Sequence, residues 1–223
     1  MPGPSACFVQ AAGAADGTQA PPLYRPLRSL ARVVVERGFG LTAEGLEHLP
    51  ARGPYILAAN HHNYLDGVVL GVAVAAPISF LVMPRVYRAT PVHPAFHRGI
   101  GSIPIDVTRS DIGGLRRALA ALAAGRVIGI FPEGPYSVRG QLESGLPGVA
   151  LLALRSGVPV VPAAVRGTYE ALVGRRFHVP RWRPLAVRFG PPRRFAPAAG
   201  HGHRRARREV TERIMADIAA LLA

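Results

Sequence analysis

The sequence predicts a single α/β domain, a mixed and mostly parallel sheet with helices on both faces. Three observations lead there. Apolar runs of strand length alternate with segments of helical periodicity along the chain. At 223 residues one domain is the default, with room for a substantial core. Two of the apolar runs, 55–59 and 127–131, end in polar, ionisable residues. Strands do this where an α/β sheet opens onto its ligand crevice.

In chain order, residues 1–22 are rich in Ala, Gly and Pro and lack periodicity. They read as a disordered segment ahead of a domain at 23–223. Residues 23–37 set Leu23, Leu27, Leu30 and Val34 at helical spacing, with Arg25, Arg28, Arg32 and Arg37 between them. That stripe fits a core-packing helix, the favoured reading, or a basic amphipathic element on anionic lipid. Residues 39–46, 55–59, 78–83, 127–131, 158–165 and 185–189 read as strands, and 68–76 as a helix apolar nearly all round. The prolines within 158–165 suggest an edge strand or a bend. Residues 111–125 are the clearest helix, with Asp111 as N-cap and Leu115, Leu119 and Leu122 as its stripe. Residues 146–156 and 204–222 complete the helices, and the Arg- and Pro-rich stretch 175–194 mixes Phe177 and Trp182 with its cations. A lipid-facing and a merely solvated reading of that stretch stand equal.

Composition narrows the partners. Hydrophobic residues make up 49% and charged residues 18%, which suits a globular protein with some apolar surface. The 27 basic residues, all of them Arg, outnumber 13 acidic ones and give a net charge of +14. That balance fits an anionic partner: a membrane surface, a phosphorylated ligand or nucleic acid. Neither a single-strand aromatic platform nor a helix-turn-helix pattern accompanies it, so nucleic acid ranks low. Cys7 is the only cysteine, which is compatible with a reducing cytoplasm. No apolar run reaches the ~20 residues of a membrane span, so any membrane contact is expected to be peripheral.

The run that organises the chain is Asn60-His61-His62-Asn63-Tyr64-Leu65-Asp66-Gly67. Burying such groups unpaired costs roughly 2–7 kcal/mol each. On a regular helix His61 and Asp66 would point about 140° apart. They meet only if His61 lies in the cap segment and Asp66 in the first turn, with Asn60 as the cap. Asp66 would then fix one imidazole nitrogen and leave the other free as a base. On spacing alone, a polar helix start without catalytic function is the better reading.

The run also resembles the His-x4-Asp block of the glycerolipid (lysophospholipid) acyltransferase family. Three further blocks follow in that family's order: Gly101-Ser102-Ile103-Pro104-Ile105-Asp106, Phe131-Pro132-Glu133-Gly134 and Val158-Pro159-Val160-Val161-Pro162. With its flanks the likeness covers residues 41–168. It implies a glycerol-3-phosphate acyltransferase-like fold, with His61 as general base and Asp66 orienting it. Glu133 and Gly134 would shape the acceptor site, Glu133 either by binding acceptor hydroxyls or by locking its loop. Asn60 is placed with the substrate-binding positions. The resemblance implies an acyl thioester donor, coenzyme A or acyl carrier protein, and a lysolipid acceptor. It implies no cofactor and no metal, and a location in the cytoplasm, peripheral on the inner face of the membrane.

The sequence departs from the family where phosphate is bound. The usual Arg after the second block's Asp is Val107, and the Arg expected two residues after Gly134 is Tyr136. Arg109 and Arg139 are the nearest substitutes. Bidentate phosphate recognition is geometrically strict, so the shift points to bent loops or to an acceptor other than lysophosphatidic acid. A Lys often found after the third strand is also missing, and Arg85 or Arg88 is the nearest cation. Backbone amides after the motif are therefore expected to stabilise the oxyanion. The remaining alternatives are an amino-acid lipid or glycolipid acceptor, hydrolysis of the thioester, and a non-catalytic basic membrane-binding module.

Overall fold

The structure, a computed structural model, describes residues 20–108, 111–137, 139–172, 180–196 and 203–223. Seven strands form one sheet: β1 (Thr42–Glu44), β2 (Tyr55–Ala59), β3 (Ile78–Val82), β4 (Ile103–Pro104), β5 (Val127–Ile130), β6 (Val160–Arg166) and β7 (Ala186–Phe189). Their order is β1-β7-β6-β2-β5-β3-β4, and every pair is parallel except β6 with β7. The helices are α1 (Tyr24–Val33), α2 (Leu65–Ala73), α3 (Pro84–Tyr87), α4 (His93–Gly99), α5 (Ile112–Ala123), α6 (Gly148–Ser156), α7 (Thr168–Ala171) and α8 (His203–Leu222). The predicted mixed, mostly parallel architecture is what forms.

Strand β2 shows why its sequence is a solid apolar run. Alternate side chains enter opposite layers, and both layers are covered, as parallel sheets require. Tyr55, Leu57 and Ala59 join a core with α2, while Ile56 and Ala58 join one with α5, α6 and α8. All five are at most 1% exposed, so neither face tolerates a polar residue. Strand β2 lies centrally, between β5 and β6, and its C-terminal end delivers the polar run starting at Asn60.

Two expectations change on inspection. Strand β6 is interior, not an edge, although it holds Pro162. The Pro162 carbonyl accepts from Gly190 N at 2.8 Å, so its missing N–H also faces the β7 side, beyond the last β6–β7 pair. No bond to β2 is lost there. The α1 stripe is not core: Leu27, Leu30 and Val34 remain partly exposed, Leu30 at 65%. What docks α1 is Tyr24, whose hydroxyl accepts from Ile78 N, and Arg28, which donates to the carbonyls of Gly71 and Val72 at 2.9 Å. A cation there also complements the C-terminal end of α2.

The expected disordered segment 1–22 lies mostly outside the described residues, as do Cys7 and Phe177. Leu23 already bonds its amide to Gly99 O at 2.9 Å. Trp182 is exposed over 66% of its surface while its ring packs against Phe39 at 4.6 Å. Among the described residues no helix is long and apolar enough to cross a membrane.

Gly129 in β5 makes room for an aromatic neighbour. A Cβ there would collide with the Phe80 ring and lie 2.7 Å from Ile78 Cγ2. Gly129→Ala is expected to cost about 1–3 kcal/mol through overpacking, read as a lower denaturant midpoint at unchanged slope.

Candidate active site

Strand β2 ends at Ala59, and the next five residues turn over the C-terminal end of the sheet into α2. Asp66, in the first turn of α2, is fully buried and points back over that turn. Its Oδ2 receives His61 Nδ1 at 2.9 Å, His62 N at 2.6 Å and Asn63 N at 2.8 Å. Its Oδ1 has no partner among the described residues. An ionised carboxylate only accepts, so Nδ1 carries the proton and Nε2 is the basic nitrogen. The two residues therefore meet with His61 in the turn and Asp66 in the first helical turn.

The third block holds the His61 main chain from the other side. Glu133 Oε1 accepts from His61 N and Oε2 from Glu143 N, both at 2.7 Å. The His61 carbonyl accepts from Ser137 N at 2.8 Å. Of the two roles open to Glu133, its contacts are those of a lock between loops. Its carboxyl is pushed up to about 7 by burial, against the pull of the two amides. Gly134 has φ +81, a backbone conformation that favours glycine.

The His61 ring is gripped by aromatic rings. Phe131 stacks on it at 3.7 Å with an interplanar angle of 5°, and Tyr136 meets it edge-on at 4.5 Å. Phe80 stacks in turn on Phe131 at 5.7 Å. Gly129, which yields space to Phe80, thus sits at the foot of this column.

Beside His61 lies an apolar cavity of about 640 Å³. Leu27 and Leu30 of α1, Val34 just after it, and Val68 and Val72 of α2 line it. The half-exposed stripe of α1 is one wall of this cavity. Most polar groups lining it are already engaged: Tyr24 with Ile78, Arg28 with α2, and His97 Nδ1 with Ser102 Oγ at 3.3 Å. A second cavity of about 310 Å³ opens near Phe131 and Gly134, lined by Ile105, Val107, Ile112, Leu115 and Leu146 with Arg207.

Two of the remaining predicted positions, Asn60 and Arg139, do not converge here. Asn60 is no helix cap and does not line the cavity. It is fully buried, its Nδ2 donating to Val165 O at 2.9 Å and its Oδ1 accepting from Val165 N at 2.7 Å. It ties β2 to β6. Arg139 is exposed on a turn whose Gly140 abuts Tyr169, and it lines neither cavity. Arg109 lies outside the described residues. Within the motif run itself the backbone amides are mostly spent. Those of His61, His62 and Asn63 bind carboxylates, and those of Leu65 and Asp66 bind Asn63. Tyr136 was missed as a site residue; its only sequence signal is that it replaces an expected arginine.

Fold and site together define a family. The family model for Acyltransferase matches residues 40–166, and the chain belongs to that family. Among its relatives, the chloroplastic 1-acyl-sn-glycerol-3-phosphate acyltransferase of Arabidopsis thaliana is 29% identical over 58% of this chain and 37% of its own length. The 1-acyl-sn-glycerol-3-phosphate acyltransferase of Bacillus subtilis is 23% identical over 65% of this chain and 72% of its own length. The chain thus spans little more than a third of the plant relative. The crystal structure of PlsC, the 1-acyl-sn-glycerophosphate acyltransferase from Thermotoga maritima, superposes with a TM-score of 0.68 at 23% identity. That match covers 90% of this chain and 81% of the other, and it establishes the shared fold.

Because the Glu133 carboxyl is raised, its contribution to stability is fully present below about 4.5 and is lost as pH rises through about 7. Glu133→Gln leaves one of two backbone amides unpaired, lowering stability by about 1–3 kcal/mol. The same variant is expected to flatten the decline between those pH values, measured as unfolding free energy against pH.

Proposed function

We propose that this chain is an O-acyltransferase that moves a fatty acyl group from an acyl thioester to the hydroxyl of a lysophospholipid, such as 1-acyl-glycerol-3-phosphate, in phospholipid biosynthesis. The observation that carries this reading is the 2.9 Å contact between His61 Nδ1 and Asp66 beside a large apolar cavity. The cavity suits the acyl chain, and the imidazole suits the proton transfer. In this reading the acceptor hydroxyl attacks the thioester carbonyl as His61 Nε2 takes its proton. Asp66 keeps the tautomer and stabilises the imidazolium. The tetrahedral intermediate collapses, the C–S bond breaks, and His61 returns the proton to the departing thiolate. The motif run has no Ser or Cys, so transfer is direct, without an acyl-enzyme. The donor, acyl-coenzyme A or acyl carrier protein, is a co-substrate, and no resident cofactor is required.

One observation favours a second acceptor class. Val107 stands where the family resemblance implies a phosphate-binding Arg, and it lines a mainly apolar cavity with Ile105, Ile112 and Leu146, whose charged lining residues are Asp106, Asp111 and Arg207. An amino-acid lipid or glycolipid acceptor fits that lining better than a phosphomonoester does. A panel of acceptors with one radiolabelled acyl donor separates the two, and free fatty acid as sole product identifies hydrolysis instead.

The exposed Leu30 and Val33 of α1, flanked by arginines, suit a peripheral position on an anionic membrane face. The double variant Leu30→Ser, Val33→Ser is expected to weaken binding to phosphatidylglycerol vesicles by at least about tenfold, given ~1.5–3 kcal/mol per buried apolar side chain. Its melting temperature should not move, and unchanged vesicle binding would remove the membrane reading.

For the chemistry, His61→Ala is expected to abolish thiol release, and Asp66→Asn to lower kcat on the order of 10³-fold, in folded protein. Undiminished turnover in His61→Ala would end the acyl-transfer reading.

A further inference from the structure

Attack on a thioester carbonyl turns its oxygen into an oxyanion, and the acyl-transfer reading needs a donor aimed at that oxygen. The chain contains no Lys. Of the amides at 61–66, five are engaged within the protein, leaving that of Tyr64. The side chains lining the large cavity are equally restricted, since Tyr24, Arg28, His97 and Ser102 all have partners. Among the residues lining that cavity, two hydroxyls remain, those of Tyr64 and Tyr136. Tyr64 is 48% exposed, so water competes for its hydroxyl. Tyr136 is half-buried, lies edge-on to the His61 ring at 4.5 Å, and has no hydrogen-bond partner among the described residues.

We propose that Tyr136 is a catalytic residue whose phenol donates a hydrogen bond to the thioester carbonyl oxygen as it becomes the oxyanion. The proposal rests on the acyl-transfer reading and supplies a side-chain oxyanion donor for it. The acceptor oxygen forms the new C–O bond, and the C=O π pair moves onto the carbonyl oxygen. His61 Nε2 takes the hydroxyl proton. Tyr136 keeps its own proton throughout, polarising the bond without transferring charge. On collapse the pair returns, the C–S bond breaks, and the thiolate takes the proton from His61. Burial and the Asp66 carboxylate hold the phenol above its ordinary value, against the pull of Arg85, so it remains a donor at neutral pH.

The test uses the full-length protein with palmitoyl-coenzyme A as donor and 1-oleoyl-glycerol-3-phosphate as acceptor, reading free thiol. Tyr136→Phe keeps the ring against His61 and removes only the hydroxyl. Its kcat is expected to fall roughly 10²–10³-fold, the loss typical of one oxyanion donor, with KM changed less than about twofold. The acid limb of its kcat–pH profile should stay in place, because His61 is undisturbed. A wild-type kcat in this variant, or a displaced acid limb, overturns the proposal while the acyl-transfer reading stands. No thiol release by the wild type with this acceptor or with any other of the panel overturns both. If Tyr136→Phe does not fold, Tyr136→3-fluorotyrosine serves. Its more acidic hydroxyl should add an alkaline limb as the donor ionises, and a profile identical to wild type overturns the proposal.

Discussion

A single carboxylate oxygen organises the site. Asp66 is fully buried, a position that costs several kcal/mol for an ion unless donors surround it. The run after β2 supplies them: one imidazole and two consecutive backbone amides converge on Oδ2. That convergence sets the path of the turn and aims the His61 ring. It also consumes amides that a catalytic site of this kind could otherwise direct at substrate. The requirement of the buried charge and the scarcity of oxyanion donors are one fact seen from two sides.

The rest of the fold braces this turn. The third block binds the His61 main chain at both its amide and its carbonyl, through Glu133 and Ser137. Asn60 fastens the preceding residue to β6, and Asn63 Nδ2 fastens the following turn to Thr168 O at 2.8 Å. Phe131 and Tyr136 then fix the plane of the imidazole. Few rotational freedoms are left to the reactive ring, which suits a base that must meet its proton in one geometry.

The sheet, its helices and the His61–Asp66 pair were legible because their signals are local. A two-face apolar strand, an Asp111 cap that accepts from Gly114 N at 2.7 Å, and a five-residue spacing all declare themselves within a few positions. What failed depends on distant partners. Asn60 looked like a cap because nothing nearby reveals that Val165 consumes its amide on both sides. Pro162 looked like an edge marker because the point where β7 stops pairing is set elsewhere in the chain. The α1 stripe looked like core because periodicity reports an apolar face without saying whether protein covers it. Glu133 stayed open between two roles until Glu143 N appeared on its second oxygen.

The long reach of these braces has a consequence for biosynthesis. The contacts that shape the turn join residues 72 and 105 positions apart in sequence. A nascent chain that has just emitted its histidine motif therefore lacks both struts, and contacts of such separation close slowly. The imidazole acquires its working posture only once the ribosome has delivered β6, so reactivity arrives with completion of the sheet and not before.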